Sequence, residues 1–69
     1  MGTEPMSAGR LRNRARRIRN IAGVLYLLKE HAHDAGLLDA ERELENAADY
    51  ASFAAAAYEK RADKVWRAS

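Results

Sequence analysis

Two runs of apolar residues recur at alternating intervals of three and four, and a glycine at position 36 separates them. That period keeps side chains on one side of an α-helix and scatters them across a strand, so it commits the chain to helices. The first run reads Leu11, Ile18, Ile21, Leu25, Leu28, Ala32 and Ala35, with Arg14 in its one gap. The second reads Leu37, Glu41, Leu44, Ala48, Ala51, Ala55, Tyr58, Ala62 and Val65. No proline follows Pro5, and Gly23 is the one weak helix former of note in the first run.

The predicted boundaries follow from the residues flanking each run. Met1 to Gly9 lack periodicity and read as a disordered tail, residues 1–9. Helix one is expected over about 10–35, with His31 and His33 at its carboxyl end and Gly36 supplying the left-handed residue beyond it. Helix two is expected over about 38–67, its first turns favoured by Asp39, Glu41 and Glu43. So short a connection makes the helices antiparallel neighbours, each on the order of 40 Å long at 1.5 Å per residue. The seam of helix two is mostly alanine, and small side chains let backbones approach toward the close end of the usual spacing. No repeat, linker or second domain is visible, and 69 residues make one domain at most.

Composition supports the helical reading. Aromatic residues are 7% of the chain, too few to fill a sheet, and alanine supplies much of the 48% hydrophobic content. With no cysteine, a disulfide scaffold and a thiolate zinc site are both excluded. A single core in a chain of this size is marginal without a metal, a disulfide or a partner copy. On a helical wheel Val24 and Leu27 fall off the first stripe, and Tyr50, Phe53 and Ala57 form a second stripe on helix two. An all-α two-helix antiparallel hairpin covers one stripe per helix, which predicts a homodimer, a four-helix bundle with Val24, Leu27, Tyr50, Phe53 and Ala57 at its interface.

Charge is polarised, although the formal net is only +2. Arg10, Arg12, Arg14, Arg16, Arg17 and Arg19 lie in a stretch with no acid. A hairpin sets them beside Lys60, Arg61, Lys64 and Arg67, against Glu59 and Asp63, for +8 at the open end. Seven acids from Glu30 to Asp49 against Lys29 and Arg42 leave −5 at the turn. Those ten cations are the candidate binding residues, with a protein partner favoured and nucleic acid as the alternative, in which Arg10 to Arg19 contact phosphates. No helix-turn-helix spacing, aromatic ribonucleoprotein motif or zinc finger accompanies them.

Catalytic groups are not assembled by the pattern. His31 and His33 point about 160° apart on a helix and cannot share a metal; His33 can meet Glu30 or Asp34. The carboxylates Glu41, Glu43, Glu45 and Asp49 have no pocket to shift their pKa, and Glu41, on the seam, is placed to pair with Lys29 or His33. Trp66 is expected against Leu11 or Ala15. No phosphate loop or nucleophile elbow occurs. No metal, cofactor, small-molecule substrate or enzymatic activity is expected. The apolar stretch Ile21 to Leu28 follows the arginines as in a signal peptide, but eight residues closed by Lys29 and Glu30 neither make one nor span a bilayer. The expectation is a soluble cytoplasmic protein without membrane association.

Ile18, Ile21, Leu25 and Tyr26, followed by Glu43-Leu44-Glu45, are loosely similar to the helical-hairpin aspartyl-phosphate phosphatases of sporulating bacteria. That family carries Ser-Gln-Glu-Leu-Asp on its second helix. Here the corresponding positions read Glu41-Arg42-Glu43-Leu44-Glu45, lacking the Ser, the Gln and the final Asp, so no family is assigned. The function expected from the sequence is that of a small non-enzymatic regulatory, adaptor or inhibitor protein acting through its helical surface.

Overall fold

A computed structural model describes residues 7–68 as two helices, α1 (Ala8–Asp34) and α2 (Leu38–Ala68), packed against each other as an antiparallel hairpin. No strand occurs among the described residues. The hairpin is a plate measuring 50 × 24 × 14 Å.

α1 begins two residues before its expected start. The Ser7 hydroxyl accepts a hydrogen bond from the Arg10 amide at 3.2 Å, satisfying one of the free donors of the first turn. Ala8 and Gly9 are therefore helical, which shortens the expected tail; residues 1–6 lie outside the described part of the chain. At the other end Gly36 has φ +74°, with its amide donating to the His33 carbonyl at 3.0 Å. The Leu37 amide donates to the Ala32 carbonyl at 2.9 Å. This crossed pair of bonds closes the last carbonyls of the helix and turns the chain back, and the left-handed residue it needs is the glycine. α2 starts at once, with Asp39 and Glu41 in its first turn facing the positive end of its dipole.

The α2 side of the interface is the seam read from the sequence. Ala48, Ala55 and Ala62 are fully buried, and Leu44, Ala51, Tyr58 and Val65 are half-buried between them. Leu37, the first residue of that run, is exposed in the turn.

The α1 side differs from the expectation. Its buried line is Ala8, Leu11, Ala15, Ala22 and Ala32, with Ile18, Leu25 and Lys29 half-buried in the same stripe. Ile21 and Leu28, expected inside, are 56% and 42% exposed. Leu11, Ile18, Leu25 and Ala32 are common to both patterns, and the helix has turned so that Ala15 and Ala22, not Ile21 and Leu28, complete the contact. The reason lies across the interface. Alanines repeating every seven residues on both helices let the backbones close together, and a branched side chain at 21 or 28 would hold them apart. Among the described residues, the resulting core contains no fully buried large side chain. At the open end Ala8, Leu11 and Ala62 form a cluster with Tyr58 and Val65 packed on it.

Candidate interaction surface

The seam divides the hairpin into two flanks, and they differ in chemistry. On one flank of α1 stand Arg12, Arg19, Tyr26 and His33, each seven residues from the next and therefore in line along the helix. All four reach across to α2. Arg12 meets Asp63 at 3.4 Å, and Arg19 forms a two-pronged contact with Glu59 at 2.8 and 2.6 Å. The Tyr26 hydroxyl donates to Asp49 at 3.0 Å, and His33 Nδ1 lies 3.0 Å from Glu41. Lys29, from the seam itself, adds a contact to Glu45 at 2.5 Å.

These contacts set the protonation behaviour of the rim. The hydrogen bond from Arg19, with its charge, holds the Glu59 carboxyl below its ordinary range, and the same pair raises the Arg19 pKa. The hydrogen bond to Glu41, then its negative charge, raises the His33 pKa. Tyr26 is raised first by its bond to Asp49, and Lys29 by its bond to Glu45. All of these side chains are solvent-accessible, so the ladder orients the helices more than it stabilises them.

Cations at the open end divide into two sets. Arg12 and Arg19 occupy the two acids there, Asp63 and Glu59. Arg10, Arg14, Arg16, Arg17, Lys60, Arg61, Lys64 and Arg67 have no ion pair among the described residues. The antiparallel packing gathers all ten at one end of the plate, and the acids from Glu30 to Asp49 at the other. An open groove of about 580 Å³ runs between Arg12, Arg16, Arg19, Asn20, Glu59 and Asp63. It is lined by both signs of charge.

The five residues assigned to a dimer interface are all at the surface: Val24 is 56%, Leu27 52%, Tyr50 74% and Phe53 70% exposed, and Ala57 is also exposed. Helical geometry does not put them on one face. Val24, Tyr50 and Ala57 border the flank opposite the polar ladder, whereas Leu27 and Phe53 lie on the outer backs of the two helices. Ala57 lines a shallow apolar hollow with Leu11, Tyr58 and Arg61.

Trp66 does not enter the core against Leu11 or Ala15. It is 67% exposed, with the Arg12 guanidinium 5.9 Å from its ring centre, a cation–π arrangement on the polar rim. Glu30 and His33 do have the Glu-x-x-His spacing with which bundles hold iron or manganese, which corrects the expectation that the sequence lacks it. His33 is turned to Glu41 instead, and the described residues include no group of three His, Asp or Glu side chains able to hold a metal. No described helix is long and apolar enough to cross a membrane. No protein-family model, curated protein or solved structure matches the chain.

Proposed function

We propose that this chain is a small non-enzymatic adaptor or inhibitor that binds an acidic protein surface through the cationic end of its hairpin. The carrying observation is that the two acids at that end are already held by Arg12 and Arg19, which leaves eight cations without an internal partner among the described residues. Guanidinium groups in that condition are suited to pair with carboxylates in two-pronged geometry. Trp66, 67% exposed, stands at the same end of the plate. An aromatic side chain bordered by arginine is the composition of a protein interface. A phosphate backbone has less use for it.

The quaternary part of the reading is a homodimer, two hairpins forming a four-helix bundle. It is supported, among the described residues, by a core with no fully buried large side chain and by ten large hydrophobic residues left exposed.

Nucleic acid is the second reading, favoured by Arg12, Arg16 and Arg19 along one groove. Glu59 and Asp63 line the same groove and oppose phosphate there. Three labelled probes separate the two: an amphipathic helical peptide carrying glutamates and leucines, the same peptide with alanine for leucine, and duplex DNA or RNA. Titrated at two salt concentrations, the leucine peptide is expected to bind most tightly and to weaken when Arg16, Lys60 and Arg67, which lie off the Ile21–Leu28 flank, become Ala. Tighter binding of duplex, with a steep salt dependence and no effect of the leucines, would reject the protein-partner reading.

A further inference from the structure

We infer that two hairpins pair through one broad face, the flank carrying Ile21, Val24, Leu28, Ala47, Tyr50 and Ala54, and that the two copies run in opposite directions. This rests on the homodimer reading above and adds to it the face and the sense of pairing.

The choice of face follows from the unequal flanks. Every cross-helix ion pair or side-chain hydrogen bond described above uses the rim of Arg12, Arg19, Tyr26 and His33, or Lys29 leaning toward it. On the opposite flank α1 presents Arg14, Ile21, Leu28 and Ala35, again seven apart, while α2 presents Ala40, Ala47, Ala54 and Arg61. No polar contact bridges the helices there among the described residues.

This is also the stripe that the α1 sequence marks as most hydrophobic and that α2 leaves uncovered. Leu11, Ile18, Leu25 and Ala32 are shared between it and the buried seam. α1 thus has two adjoining apolar stripes: the alanine-rich one meets α2, and the Ile21–Leu28 one is left 42–56% exposed at those two residues. Small residues on the α2 side, Ala47 and Ala54, leave this face low enough for a second helix pair to approach closely. The broad face of a 50 × 24 × 14 Å plate offers on the order of 1,000 Å². A standard interface needs about 800 Å² from each partner.

The sense of pairing follows from charge. At the open end this flank and its border carry Arg10, Arg14, Arg17, Arg61 and Lys64; toward the turn the one charged residue bordering it is Glu43. A parallel pair would set five cations against the same five, within about one Debye length of 8 Å at physiological salt. The antiparallel pair sets those five cations beside Glu43 and the otherwise uncharged turn end of the other copy's face.

The absence of cysteine makes the test direct. Donor-labelled Leu38→Cys and acceptor-labelled Arg67→Cys, at opposite ends of the 50 Å plate, are mixed and allowed to exchange subunits. Energy transfer is expected for the 38–67 pair and not for a 38–38 pair. Transfer for 38–38 alone overturns the antiparallel sense and leaves the dimer standing. For the face, Tyr50→Glu and Phe53→Glu introduce the same charge at two well-exposed positions, on the proposed face and on the back of α2. Tyr50→Glu is expected to sediment as a monomer with its helical circular dichroism retained, and Phe53→Glu as a dimer. The reverse pattern overturns the face. A wild-type chain that is monomeric at tens of micromolar removes the homodimer itself, whatever the acidic peptide does.

Discussion

Replacing Ala55 by leucine tests the close alanine contact on which the hairpin depends. Ala55 is 0% exposed, lies midway between Ala48 and Ala62, and opposes a helix whose own seam is alanine at 15 and 22. Leucine adds three carbons. If space existed for them, their removal from water would contribute about 0.8 kcal/mol each, a gain of roughly 2 kcal/mol. With none, the helices must separate, and overpacking of this kind costs about 1–3 kcal/mol. The two cases differ in sign. A domain of this size has on the order of 3–10 kcal/mol in total, so the loss is a large share. Urea unfolding followed at 222 nm, with m of about 1 kcal/mol/M, should show the midpoint falling by about 1–3 M. Protein concentration must be held fixed, because association adds to apparent stability. Ala56→Leu, one residue further on an exposed face, is the control and should change stability by less than about 0.5 kcal/mol. A midpoint that rises in Ala55→Leu, or that matches Ala56→Leu, would refute close backbone packing.

Gly23 and Gly36 should respond to alanine with opposite signs. Gly36→Ala meets no neighbouring atom but forces an L side chain to φ +74°, a loss of about 1–2 kcal/mol; Gly23→Ala, in an open helical position, should gain about 0.5–1 kcal/mol in the same unfolding assay. His33 carries the pH dependence near neutrality. Its folded-state pKa is raised above 6.5 by Glu41, so its stabilisation is complete below 6.5 and disappears as pH rises through the folded value. NMR titration of the His33 ring should give a raised pKa that returns toward 6.5 in Glu41→Gln, and the thermal stability gap between wild type and variant should close as the ring deprotonates.

Helix limits were legible because their signals are local. Gly36 supplies a backbone conformation that its neighbours cannot adopt cheaply, and both inner helix ends fall within a residue or two of where it placed them. The cap at Ser7 was equally local, a hydroxyl three residues before the amide it accepts from, and reading it would have started α1 correctly. The α2 seam was legible because the second stripe of that helix, Tyr50, Phe53 and Ala57, shares no residue with it. On α1 two stripes share four residues, and hydropathy ranks Ile21 above Ala22. Packing reverses that ranking, since the partner surface rewards small size, and no single-helix pattern contains that information. The charge polarity needed only the hairpin. Which arginines would be neutralised needed the register, which sets Arg19 against Glu59 and leaves Arg16 and Arg17 without an ion pair among the described residues.

Sliding one helix along the other by seven residues returns alanine to alanine on the buried line, so those alanines alone hardly distinguish one axial alignment from the next. The tether at Gly36 and the spacing of the rim pairs are what select a single alignment. Two peptides cut at the bend would therefore populate several staggered associations, whereas the joined chain has one: connectivity, not interior shape, makes this fold unique.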